Sequence, residues 1–313
     1  MIHEGIVFFL LACYLADIIL GDPARWPHPV RLQGRFLDYL EIKARHSGLN
    51  LKVCGAATLA AGAFLSFFAA TLLISIPFLG LLIAIYLGYS CLALGCLIHE
   101  TRKAQKLISQ GDLEQAREYM SRLVSRDTAH LDGQGLYQAL AETASENYND
   151  AFCAPFFYLS LLGVPWVWVY KMVSTMDSMW GYKTEKWKDL GFAGARADDF
   201  LAWIPARLAA LSMMASGRIL RLENPAIFSL ISRDARKMES PNAGWTMATA
   251  AHLLGVSMGG PASYFGQIKN KPLLGPGSDQ YSSEKIDCLV SLILVSSILF
   301  ATFFTALAFI LYS

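Results

Sequence analysis

From Val53 to Ile98 the chain runs 46 residues without one Asp, Glu, Lys or Arg. A membrane span needs about 20 apolar residues, so the run predicts two crossing helices joined by a tight turn, with Pro77 at the break. Cys288 to Ser313 is a second such run, of 26 residues, and Gly5 to Leu20 is a shorter one interrupted by Asp17. The expected fold is all-α: a polytopic helical membrane protein of about four spans, near 5–20, 53–75, 78–98 and 288–313, in one integral membrane domain over 1–313.

The first run is expected to be retained rather than cleaved. Residues 1–4 contain no Lys or Arg, and Asp17 and Asp22 stand where small residues would mark a cleavage site. Arg25, Arg31, Arg35, Lys43, Arg45 and Lys52 lie between the first two spans, whereas the next turn has no base. The positive-inside rule then places both termini outside and a helical region of about 99–285 on the cytoplasmic side of a bacterial inner membrane. Ala151 to Tyr170 is also uncharged, but Pro155, Gly163 and Pro165 interrupt it. It is read as a buried or re-entrant hairpin, since non-helical backbone at membrane depth must be covered by protein. Phe200 to Gly217 is read as a helix packed against the bundle.

Composition narrows the function. Hydrophobic residues make up 54% and charged residues 16%, with a net charge of +1, so no basic surface argues for nucleic acid. The six cysteines lie in or beside apolar segments without a CxxC and read as packing residues. There is no Walker A sequence, no GxGxxG and no internal repeat.

Against that background, the charges from Glu142 to Arg207 stand out. Asp112 should cap a short helix after the break at 109–112, and a further helix should run from about Gly133 to Asn149. On it Glu142, Glu146 and Asp150 fall at i, i+4 and i+8, one face if the helix continues. Stacked anions running into an apolar segment call for a counterion, either bound Mg2+ or a basic partner. Lys171, Asp177, Arg196, Asp198, Asp199 and Arg207 follow within some 40 residues, a mixture suited to a polyanion: bases neutralise phosphate while acids hold a bridging magnesium. LGDPARWPHPVRLQGR gathers Asp22, His28, Arg25 and Arg31 after the first span. SPNAGW and LLGVSMGGPASYFG add glycines for close backbone approach, with packing between membrane helices the equal alternative.

Together LADIILGDPARWPHPVRLQGR, SRDTAHLD, ETASENYNDAFCAPFFY, YKMVSTMDSMWGYK, GFAGARADDFLAWIPARL, SRDARKMESPNAGW and the Gly-rich SYFG segment resemble the CobD/CbiB family of adenosylcobinamide-phosphate synthases. The resemblance covers nearly the whole chain in order. It implies ATP-dependent amide formation between a propionate of adenosylcobyric acid and (R)-1-amino-2-propanol or its O-phosphate. ATP and Mg2+ are then needed, with the corrinoid a substrate rather than a prosthetic group. Such chemistry activates the carboxylate as an acyl phosphate and removes a proton from the amine. Candidate catalytic residues are Glu142, Glu146, Asp150, Lys171, Asp177 and Asp198. Candidates for substrate or phosphate binding are Asp22, His28, Arg31, Asn147, Asn149, Arg196, Asp199, Arg207 and Asn242, and Glu142, Glu146 and Asp150 are the expected Mg2+ ligands. Implied partners are membrane lipid and other late cobalamin-pathway enzymes. The family commonly has Asn, Asn and His where Ser174, Ala202 and Met238 stand, which keeps open an alternative as a catalytically weakened corrinoid-binding or scaffolding paralogue.

Overall fold

The computed structural model describes residues 2–23, 26–224, 227–264 and 266–312. Arg25, counted above toward the basic loop, lies outside them, as do Phe265 and Ser313. The chain opens with α1 (Ile2–Leu20), α2 (Pro29–His46), α3 (Leu51–Ile74), α4 (Gly80–Tyr89) and α5 (Leu94–Ser109). Two shorter helices follow, α6 (Leu113–Met120) and α7 (Gly133–Tyr148), then a π-helical turn, Asn149–Cys153. Next come α8 (Ala154–Leu162), α9 (Val164–Trp180), α10 (Phe192–Leu201), α11 (Trp203–Ile219), α12 (Phe228–Ala235) and α13 (Ala243–Leu254). A β-hairpin of β1 (Met258–Tyr264) and β2 (Gln267–Leu274) precedes the last helix, α14 (Ser283–Leu311).

Three helical stretches are long and apolar enough to cross a membrane: Leu51–Ile74, Gly80–Ser109 and Ser283–Leu311. They match three of the expected spans. Gly5–Leu20 is apolar but shorter, and α10 with α11 passes the same test only as a broken pair, so among the described residues the count is three, or four with that pair. By contact the chain divides into two units, residues 1–95, 154–202 and 301–313, and residues 96–153 and 203–300.

In the first unit α3 packs along α9. Glycines let α3 come close: a Cβ on Gly62 would lie 2.4 Å from the methyl carbon of Met172 on α9, and one on Gly55 2.1 Å from the Leu190 carbonyl oxygen, just before α10. Leu37 and Ala44 turn one face of α2 onto Met172, Met176 and Trp180. Asp17, 1% exposed, explains the interruption of the first apolar run. Its Oδ2 accepts hydrogen bonds from the Leu94 N–H (3.0 Å) and the Gly95 N–H (3.4 Å), capping α5 where the 80–109 stretch restarts after a break. The apolar stretch read as a buried or re-entrant hairpin forms helix, break, helix: Gly163, at φ +80°, separates α8 from α9, and a proline opens α9.

In the second unit α13 is buried along its length and packs on α7, α11 and α12. Asp112 caps α6 as expected, accepting from the Gln115 N–H at 3.1 Å. The Gly-rich segment supplies β1, with Gly259 and Gly260 at φ +91° and +87°. A Cβ on Gly259 would meet the Pro272 carbonyl oxygen at 2.1 Å, so the hairpin closes only with glycine there.

Candidate functional site

The acidic stretch of α7 lies in the second unit. Leu136, Ala139 and Leu140 point inward, with no exposed surface, and this fixes the face that carries Glu142 and Glu146. The α-helix stops at Tyr148 and the backbone widens into the π turn. The α-helix on which the i, i+4, i+8 spacing was counted therefore ends before Asp150, which nevertheless acts on Glu146. Of the two counterions foreseen for the stripe, Glu142 has the basic one. Its Oε2 pairs with Arg126, and its Oε1 accepts from Gln138 Nε2 (2.8 Å) and the Gly259 N–H (2.8 Å). Among the described residues no group of three or more His, Cys, Asp or Glu could hold a metal ion. The donor set does not fit Mg2+ held by Glu142, Glu146 and Asp150 together.

Glu146 stands differently. It is half-buried, and among the described residues it makes no hydrogen bond or ion pair. Burial pushes its carboxyl above the usual glutamate range; Lys271 opposes the shift, while Asp150 and Glu142 add to it. Asn149 is buried and donates from Nδ2 to Asp150 Oδ1 at 2.8 Å, and its own Oδ1 has no partner among the described residues. Asn147 points outward and bonds back to Thr143. Arg207 and Asn242 do come together: Arg207 Nη1 donates to Asn242 Oδ1 (3.4 Å) and to the Trp203 carbonyl (2.7 Å). The Arg207 guanidinium lies 4.0 Å from the Trp203 ring centre and 4.9 Å from that of Trp245, stacking that a lysine would not reproduce.

In the first unit Asp22 lies 3.7 Å from both His28 and Arg31, and Lys171 on α9 acts on the same histidine. Burial holds His28 below the usual imidazole range, Asp22 opposes this, and Arg31 and Lys171 reinforce it. Asp177 sits against Gly181, where a Cβ would lie 2.1 Å from its Oδ1. On α10 Arg196 covers the Phe192 ring and, with Lys183, acts on Asp199, while Asp198 acts on Tyr158.

Several residues escaped the sequence reading. Arg126 lay within SRDTAHLD, but nothing local tied it to Glu142. Asp234 and His252 form a buried pair at 2.9 Å, and Asp234 also takes Lys237 Nζ (2.7 Å) and the Gly275 N–H (3.1 Å). Lys271 is delivered by the hairpin of β1 and β2, which carries none of the Asn-Gly or Asp-Gly turn signals that would have announced it in the sequence.

Fold and site together define a polytopic helical protein with membrane-length helices and ionisable side chains set into its packed units. The chain belongs to the CobD/CbiB family, described as CobD/Cbib protein, which matches residues 10–293. It is similar to proteins named Cobalamin biosynthesis protein CobD. The one from Photorhabdus laumondii is 35% identical over 313 residues, covering 96% of this chain and 97% of that protein. A Listeria monocytogenes relative is 34% identical over 314 residues (98% and 100%), and one from Clostridium perfringens 36% over 290 residues (89% and 92%). No solved structure matches the chain.

Proposed function

We propose that this protein acts in cobalamin biosynthesis as a C–N ligase, joining a propionate of adenosylcobyric acid to (R)-1-amino-2-propanol or its O-phosphate in the cytoplasmic membrane, with ATP–Mg2+ as co-substrate. The observation that carries this reading is Glu146, a half-buried carboxylate without a hydrogen bond or ion pair among the described residues, its proton affinity raised by burial. Amide formation needs such a group, because an ammonium is not a nucleophile until it gives up a proton.

In the proposed sequence the substrate carboxylate takes the γ-phosphoryl group and ADP leaves. The amine nitrogen then attacks the acyl carbon, phosphate departs, and the ammonium proton passes to Glu146. Glu142, closed off by Arg126, keeps α7 and the hairpin in place rather than touching substrate. Lys171, Arg31 and Arg196, all within the first unit, remain proposed candidates to bind an anion there, with Asp22 beside His28 and Arg31. Asp150, Asp177 and Asp198 remain proposed acids for metal or proton handling, Arg207 and Asn242 proposed substrate contacts.

The test is direct. Purified protein in detergent is given adenosylcobyric acid, ATP, Mg2+ and aminopropanol phosphate, and adenosylcobinamide phosphate is sought by mass spectrometry. Product that depends on ATP supports the reading. Its absence from a folded, monodisperse preparation overturns it.

A further inference from the structure

The β-hairpin is fixed at both ends. At its base Gly259 is gripped by α7: its N–H donates to Glu142 Oε1 (2.8 Å) and its carbonyl accepts from Gln138 Nε2 (2.7 Å). At its turn Asp127 accepts from Ser263 Oγ and from the Gly266 N–H (2.9 Å), and its own N–H donates to the Ser263 carbonyl (2.8 Å). Lys271 of β2 pairs in register with Gly260 of β1, one residue beyond the grip on α7. Its ammonium lies 5.2 Å from the Tyr264 ring centre.

That register sets Lys271 next to the strand residue that α7 grips through Glu142, and Glu146 stands one helical turn after Glu142. Lys271 is the strongest charge acting on Glu146, ahead of Asp150, Glu142 and Arg126. Yet the two do not pair. Both side chains are half-buried, and among the described residues neither makes a hydrogen bond or an ion pair. A carboxylate and an ammonium that share a partly dry setting without touching are each left short of a counterion, which is costly unless something of both signs fills the gap. The hairpin holding Lys271 and the helix holding Glu146 are tied to each other through Gly259.

We propose that Glu146 and Lys271 form a bipolar subsite for a small zwitterion, taking the ligand's primary ammonium on Glu146 and its phosphate monoester on Lys271. This rests on the reading of an amine as co-substrate and assigns Lys271, hitherto without a role, as the residue that distinguishes a phosphorylated amino alcohol from the free one. Glu146 then holds the same nitrogen that it later deprotonates.

The experiment measures binding without turnover. Detergent-purified protein, free of ATP and corrinoid, is titrated calorimetrically with aminopropanol phosphate, aminopropanol and inorganic phosphate. The wild type should bind aminopropanol phosphate at least tenfold more tightly than either of the others. Lys271→Met should remove that advantage and leave aminopropanol binding unchanged, whereas Glu146→Gln should weaken both amines. Lys269→Met is the control for loss of hairpin charge, because Lys269 pairs with Glu239 at 2.9 Å, and it should change nothing. Lys271→Gln replaces the methionine variant if the latter is not monodisperse, with the same expectation. Equal affinity of wild type for the two amines, or full affinity of the Lys271 variant for the phosphate, overturns the proposal. Failure is separable from that of the ligase reading: product without any effect of Lys271→Met on affinity sinks the subsite alone, and these affinities without product sink the ligase alone.

Discussion

Arg126 and Glu142 form an ion pair buried within one unit, the arginine side chain 10% exposed and the glutamate 2%. Two further donors, Gln138 and the Gly259 N–H, complete the carboxylate's shell, so the pair joins the segment before α7, the helix itself and the hairpin.

Breaking it from one side should be expensive, because an uncompensated buried charge remains. Arg126→Met and Glu142→Gln are each expected to lose stability, Arg126→Met by about 3–5 kcal/mol. The double variant should recover part of that loss in a double-mutant cycle. Thermal unfolding in detergent measures all three. Simple additivity would mean that the two side chains do not act as a pair.

Glu146→Gln should behave in the opposite way. The folded carboxyl titrates above its unfolded value, so its contribution to stability is complete below the unfolded pKa and is lost as pH rises through the folded one. At neutral pH the glutamine variant should therefore be as stable as the wild type or more so, while product formation falls about 100-fold or further. In the wild type the rate should climb with pH through the Glu146 titration, and that limb should vanish in the variant. Retained activity with an unchanged pH profile would show that Glu146 moves no proton.

Asp234 carries a different pH signature. Burial alone would raise its pKa, but Lys237, the Gly275 N–H and His252 outweigh it and bring the value to about 2. The depressed folded value means that stability is present above the unfolded pKa and is lost as pH falls through about 2. Asp234→Asn should cost roughly 2–3 kcal/mol at neutral pH, the equivalent of the shift. Denaturation in detergent at pH 7 and pH 3 checks it: the gap between wild type and variant should narrow at the lower pH.

Gly55→Ala tests the packing of the first unit. The added methyl would stand 2.1 Å from a backbone oxygen at Leu190, which cannot rotate away as a side chain could. A loss of about 1–3 kcal/mol is expected, read as a lower midpoint in thermal unfolding, whereas Gly5→Ala, with open space around it, should be neutral.

Hydropathy and chain-breaking residues are properties of neighbours in sequence, and what depends on them was legible. The three long apolar helices, the Asp112 cap and the break at Gly163 before Pro165 all fall where local reading puts them, because desolvation of a 20-residue run and the φ of glycine or proline do not wait on the rest of the fold. The family resemblance was legible for the same reason, resting on ordered motifs. Long-range pairing was not. Nothing near Glu142 in the sequence announces Arg126, 16 residues earlier, or Gly259, 117 residues later. Nor does anything near Asp150 announce that the helix widens at Asn149. The three acids have different surroundings because burial, hydrogen-bond shells and opposing charges are set by which distant segments pack against each. The sequence determined that this chain is a helical membrane-type protein with a dense run of ionisable groups; only tertiary packing decided that Glu142 is sealed by Arg126 while Glu146, among the described residues, makes no hydrogen bond or ion pair.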